Sequence, residues 1–156
     1  MINNIQTYLT YENIYLIANW GVLPFWLMLI AAPNNSTTKV LVHGIVAPLL
    51  LAVAYIFVAY NIYLEGNIFD GFDLYFGLND LYSVYSEESF LLIFWLHFLS
   101  ISLFVGAWIA RDSSKYFIPR VVTVISLVLA YFAGPVGLVF YWFIRIFFSK
   151  KVGFND

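Results

Sequence analysis

Long apolar runs broken by short polar segments set the plan of this chain. Residues 41–64, 89–110 and 121–144 contain no Asp, Glu, Lys or Arg, and the first 40 residues carry only Glu12 and Lys39. A helix rises about 1.5 Å per residue, so roughly 20 residues cross a hydrocarbon core of about 30 Å. The pattern predicts four transmembrane helices, over about 14–32, 40–64, 89–110 and 120–148, in a single domain over 1–156. The last is longer than a crossing needs and is expected to tilt, to kink at Gly134-Pro135 or to run along the interface beyond Arg145. Pro33, Asn34 and Asn35 stop the first helix, and Thr37 or Thr38 is the expected cap of the second.

The segment 65–88 follows a different pattern. It holds Glu65, Asp70, Asp73, Asp80, Glu87 and Glu88 without a basic residue, and aromatic side chains lie between the acids. Leu74, Leu78, Leu81 and Tyr85 fall on one helical face, which predicts an amphipathic helix lying on the membrane surface as a lid. A solvated acidic loop is the plainer alternative. The expected fold class is therefore an all-α, polytopic four-helix membrane bundle with an interfacial amphipathic helix in its long second loop.

Composition narrows the class further. The 156 residues are 63% hydrophobic and 10% charged, with a mean hydropathy of +0.86. Soluble domains carry about 25% charge. The seven Lys and Arg residues form no patch for nucleic acid. The absence of cysteine removes disulfides, thiolate nucleophiles and Cys-ligated metals. An even number of spans puts both termini on one side of an integral membrane protein. The basic residues Lys39, Arg111, Lys115 and Arg120 then face Arg145, Lys150 and Lys151 across the membrane. That small excess places the termini on the non-cytoplasmic side.

A few polar groups fall at membrane depth. Counted from the Lys39/Arg111 end, helical rise puts Asn19 about 18 Å deep, His97 about 20 Å and Tyr131 about 16 Å. His43 is only about 6 Å deep by the same count. His97 reads as a proton donor, a substrate contact or a haem ligand, or else as a neutral histidine bonded to Asn19, Ser100 or a tyrosine across the bundle. Two axial histidines must lie at one level, and His43 and His97 differ by about 14 Å, so a bis-histidine haem is disfavoured. No carboxylate lies within the four expected cores, which argues against an intramembrane metal site. No cofactor is expected.

Arg111, Asp112 and Arg120 sit in the tight connection after the third helix, where Asp112 is expected to pair with Arg120 or to cap locally. Pro24, Pro48 and Pro135 fall inside spans, where each frees a carbonyl and can open a cavity. Gly106, Gly134 and Gly137 permit close helix contact. Such a cavity would be lined by Trp26, Tyr55, Trp95, Phe98, Trp108 and Tyr141 and would suit an elongated apolar ligand. Simple aromatic packing is the alternative. Expected partners are membrane lipids and an apolar small molecule, with a homo-oligomer left open.

Several ordered motifs carry a family resemblance. They are Asn19 followed by VLPFWLM from Val22, His43 with Pro48, WLHFLSISLFVGAWIARDS from Trp95, Pro119, and GPVGLVFYWFIR from Gly134 to Arg145. Together they span nearly the whole chain and resemble the ABA4-like family of small integral membrane proteins. The resemblance implies a carotenoid isomerase, or a factor needed for one, converting an epoxide end group to an allene without a cofactor. It also implies that Asn19, Pro24, Trp26, His43, Trp95, His97, Gly106, Trp108, Arg111, Asp112, Gly134, Pro135 and Arg145 match the shared pattern. Where the family reads HYLAFDLFVG, this chain reads HFLSISLFVG, so Phe98 and Ser102 replace a phenol and a carboxylate. On this reading His97 acts alone or with Tyr131 as the acid or base, and the remaining rings, with Asn19, His43 and Ser102, line the ligand site. A noncatalytic pigment- or lipid-binding module, or a subunit that stabilises a partner, is the alternative.

Overall fold

The computed structural model of the protein describes residues 10–44, 46–66 and 69–150. Among them are eight α-helices, with no strand. They are α1 Tyr11–Gly21, α2 Leu23–Ala31, α3 Ser36–Leu41, α4 Val46–Leu64, α5 Leu78–Ser86, α6 Glu88–Lys115, α7 Arg120–Ala133 and α8 Pro135–Ser149, with a 3₁₀ turn over Asp70–Tyr75. Three helical stretches are long and apolar enough to cross a membrane: Tyr11–Ala31, Ser36–Leu64 and Glu88–Lys115. The chain is thus an all-α protein with several membrane-length apolar helices.

The three prolines inside the expected spans share one role. Pro24 and Pro135 stand in the first turns of α2 and α8, and Pro48 in the first turn of α4. Proline lacks the N–H that a first turn leaves unpaired anyway, and its fixed φ suits a helix start. Each proline therefore stands at the start of a helical segment, and Tyr11–Ala31 and Ser36–Leu64 still run as membrane-length stretches through Pro24 and Pro48.

The fourth expected span is not a single membrane-length helix. It is divided at Gly134 into α7 of 14 residues and α8 of 15 residues. These are about 21 and 22 Å long, short of a 30 Å core. Gly134 has φ 28° and ψ −86°, a backbone conformation that side chains with a Cβ rarely adopt. Beyond it the chain folds back, and a Cβ on Gly137 would fall within the backbone of Ala130. In a straight helix residues seven apart are about 10.5 Å apart along the axis. The pair α7–α8 is therefore a helical hairpin. The even count that put both termini on one side loses its fourth member.

Two other expectations change. Asn35, rather than Thr37 or Thr38, caps α3, its side chain accepting from the Thr37 N–H at 3.0 Å. Thr38 instead donates to the Ala32 carbonyl at 2.7 Å and ties the turn to the end of α2. The acidic loop is helical but not one amphipathic helix. The 3₁₀ turn ends at Tyr75 and α5 starts at Leu78, so the expected apolar face is broken between them. Leu78 and Tyr82 are exposed and Val84 is buried. Residues 67 and 68 of this loop lie outside the described residues.

Backbone packing divides the chain into two compact units. The first comprises Met1–Gly21 and Leu49–Leu99, and the second Val22–Pro48 and Ser100–Asp156. The buried side chains of the first are almost all apolar: Ile14, Ala18, Leu51, Val58, Ile62, Val84, Leu92, Leu96 and Leu99, with Ser89 the polar exception. The second buries Trp26, Leu29, Leu103, Ile109, Leu127 and Tyr141, and with them Thr38, Ser102, Asp112, Ser113, Thr123, Ser126 and Arg145.

Candidate functional site

In the first unit, α1 and α6 wall a recess. Tyr11 and Tyr15 are one helical turn apart on α1, and Leu91, Leu92 and Trp95 follow Glu88 at three, four and seven residues on α6. These spacings bring each set to one face. Together with Glu12 they line a mostly apolar cleft of about 390 Å³. The Tyr15 and Trp95 rings stand 6.1 Å apart at 45°, and Phe98 stacks on the other side chain of that pair, Trp95, at 5.4 Å. The indole Nε1 of Trp95 is buried without a hydrogen-bond partner. An unmet buried donor is costly, and an oxygen atom brought by a ligand would satisfy it.

The cleft adjoins a polar one. Tyr11, Glu12 and Glu88 also line a space of about 560 Å³ with Thr10, Asn61, Leu64 and Glu65. The Tyr11 hydroxyl donates to Glu65 Oε1 at 3.3 Å. An apolar recess thus opens beside three carboxylates and a phenol. Its volume is within the range of about 300–1,000 Å³ typical of small-molecule sites.

The second unit holds a different arrangement. Asp112 Oδ2 accepts from the Tyr141 hydroxyl at 2.7 Å and from Arg145 Nε at 2.7 Å. Arg145 is fully buried, and Asp112 is 8% exposed. Tyr141 and Arg145 are one turn apart on α8, so both reach the carboxylate near the end of α6. The guanidinium also lies over the Tyr116 ring, 4.8 Å from its centroid, a cation–π arrangement. Trp108 meets Tyr141 edge to face at 5.5 Å. The expected pairing of Asp112 with Arg120 is not formed. Arg120 instead donates to the carbonyls of Ala31 at 2.6 Å and Ile30 at 3.3 Å, where α2 ends and leaves its last carbonyls unpaired. The Asp112 cluster is a closed clamp that holds the returning helix α8 to α6.

The remaining expected site residues are dispersed. His97 is exposed on α6, in a stripe with Phe94, Ile101 and Phe104, and has no hydrogen-bond partner among the described residues. It is therefore not the buried, bonded histidine that was one of its readings. Asn19 is half-buried on α1 and Tyr55 is exposed on α4. Tyr131, in the second unit, packs edge to face on Trp26 at 5.4 Å. A Cβ on Gly106 would be 2.7 Å from the Trp26 ring, so that glycine is what lets the indole approach α6 closely. His43 Nε2 donates to the Pro33 carbonyl at 3.2 Å, and its Nδ1 is buried without a partner. Ser102 is buried and Arg111 is exposed. The described residues contain no group of three or more His, Cys, Asp or Glu able to hold a metal ion.

Of the six rings expected to line one cavity, Trp95 alone lines the cleft of the first unit. Trp26 and Trp108 are each engaged with a tyrosine in the second. Sequence reasoning missed the role of Tyr11, Glu12, Tyr15 and Glu88, although the one-turn spacing of the tyrosines and the Glu88–Trp95 interval were legible.

Comparison with known proteins agrees with the motifs. The family model described as ABA4-like, ABA DEFICIENT 4-like, matches residues 13–141. The chain is similar to Protein ABA DEFICIENT 4, chloroplastic, of Arabidopsis thaliana, with 24% identity over 131 residues. That match covers 82% of this chain and 58% of the relative, so the chain spans less than two thirds of that protein's length. No solved structure matches.

Proposed function

We propose, from the premise that this chain belongs to the ABA4-like family, that it takes the oxygenated ring of a carotenoid-like polyene from the bilayer into the cleft between α1 and α6. The observation that carries this reading is the composition of that cleft. Tyr15, Leu91, Leu92 and Trp95 offer an apolar wall, while Glu12, Glu88 and the unpaired Trp95 N–H lie where an end group's oxygen would sit. A rigid polyene loses little conformational freedom on binding, and aromatic walls suit its flat ring.

An epoxide-to-allene isomerisation is the finer proposal. It is redox-neutral: a base removes a carbon-bound proton, the epoxide C–O bond breaks, and an acid protonates the oxygen. Glu12 and Glu88, which line the cleft, are the proposed proton-transfer groups, because His97 lies on the exposed face of α6 turned away from it.

The second reading, a noncatalytic binding module, is favoured by Ser102, which replaces an aspartate of the family pattern, and by the exposure of His97 outside the cleft. One experiment separates the two. The protein is reconstituted in nanodiscs, titrated with an epoxy-carotenoid, and followed by absorption and by chromatography of the extracted pigment. Saturable binding with an isomeric product supports the isomerase, and saturable binding without product supports the module. No saturable binding contradicts both.

A further inference from the structure

We propose that α7 and α8 form a re-entrant hairpin that enters and leaves the bilayer on one side. The chain then crosses the membrane three times, and every lysine and arginine gathers on the face that meets the anionic head groups of the cytoplasmic leaflet. Two independent observations lead here. The first is geometric. Neither α7 nor α8 is long enough to cross alone, and the backbone reverses at Gly134 with Gly137 pressed on Ala130. Tyr141 and Arg145 of α8 then meet Asp112, which precedes α7, and the guanidinium covers Tyr116. The end of α8 is therefore back beside the start of α7. Non-helical backbone at membrane depth is tolerated where protein covers it, and Gly134 is buried.

The second observation is charge. With four crossings the cations divide four against three, an excess of only one. With three crossings and a re-entrant pair, Lys39, Arg111, Lys115, Arg120, Arg145, Lys150 and Lys151 all belong to one side. Glu12, Glu65, Asp70, Asp73, Asp80, Glu87 and Glu88 belong to the other. So complete an asymmetry is what the preference of cytoplasmic segments for basic residues produces. The clamp also acquires a purpose: Asp112 neutralises the one cation, Arg145, that the hairpin carries inside.

The chain contains no cysteine, so single cysteines report position without background. Thr37→Cys, Asn79→Cys and Lys150→Cys are made in the full chain and expressed in bacterial cells. Each is treated with a membrane-impermeant maleimide in spheroplasts and in inverted vesicles. The expected result is that positions 37 and 150 label together in inverted vesicles, and position 79 labels in spheroplasts. Labelling of position 150 together with 79 means a fourth crossing and overturns the proposal. Joint labelling of 37 and 150 in spheroplasts upholds the hairpin and overturns the assigned orientation.

Discussion

The unit built from Met1–Gly21 and Leu49–Leu99 contains seven acidic residues and no basic one, whereas the unit of Val22–Pro48 and Ser100–Asp156 contains all seven basic residues and two acids. Their interiors differ as well. In the first, the carboxylates stay at the ends of helices and in the loop, and the buried interior is left apolar. In the second, a carboxylate, a guanidinium and a phenol are buried together, and the carboxylate accepts from both of the others. A buried ion pair gains little over an apolar pair, yet losing one partner leaves the other charge without compensation. Such a cluster fixes a geometry, here the return of α8 to α6. An open recess with an unmet donor leaves a geometry to be completed from outside. On the proposed reading, the basic unit is structural and the acidic one captures the ligand.

The sharpest way to break that division is Asp112→Ala. It strands Arg145 in an apolar surrounding, and a loss of about 3–5 kcal/mol is expected. Thermal unfolding in detergent measures it, and a midpoint within a degree or two of wild type would remove the clamp from the account. Gly137→Val comes next. The new methyl groups meet the backbone of Ala130, which has no rotamer by which to yield. A loss of about 1–3 kcal/mol is expected, at the upper end of that range. Gly106→Ala meets side chains alone, the Trp26 ring and Leu29, and is expected to cost less. The pair of unfolding curves therefore ranks the hairpin contact against an ordinary helix contact. The smallest effect is expected for Asp73→Asn with Asp80→Asn in the exposed acidic loop. Stability should change by no more than about 0.5 kcal/mol. A larger change would mean that these acids belong to a structural element like the one in the other unit.

The legible and illegible parts of the molecule divide on physical grounds. Apolar periodicity depends on length and composition, so the membrane class, the acidic loop and the three long helices could be read directly. The hairpin could not. Residues 121–144 are uncharged throughout, and a run that reverses has the same composition as one that continues. Gly134-Pro135 marked a break but not its angle, which depends on the close approach of Gly137 to Ala130. Asp112 is two residues past the expected span end at 110 and close to Arg111 and Lys115, so its partner looked local. Its true partner, Arg145, is 33 residues away. His97 was readable as an expensive polar residue, but which face of α6 it occupies depends on packing that one helix cannot reveal.

The division of labour is tested most directly by a matched pair of tryptophan substitutions. Trp95 walls the cleft of the acidic unit, and Trp108 packs on Tyr141 in the basic unit. Titrating an epoxy-carotenoid into nanodiscs of Trp95→Leu and Trp108→Leu compares them on the same ligand. The account predicts that Trp95→Leu weakens binding about tenfold, near 1.4 kcal/mol, while Trp108→Leu lowers the unfolding midpoint and leaves affinity close to wild type. Loss of affinity in Trp108→Leu, with Trp95→Leu binding normally, would contradict it.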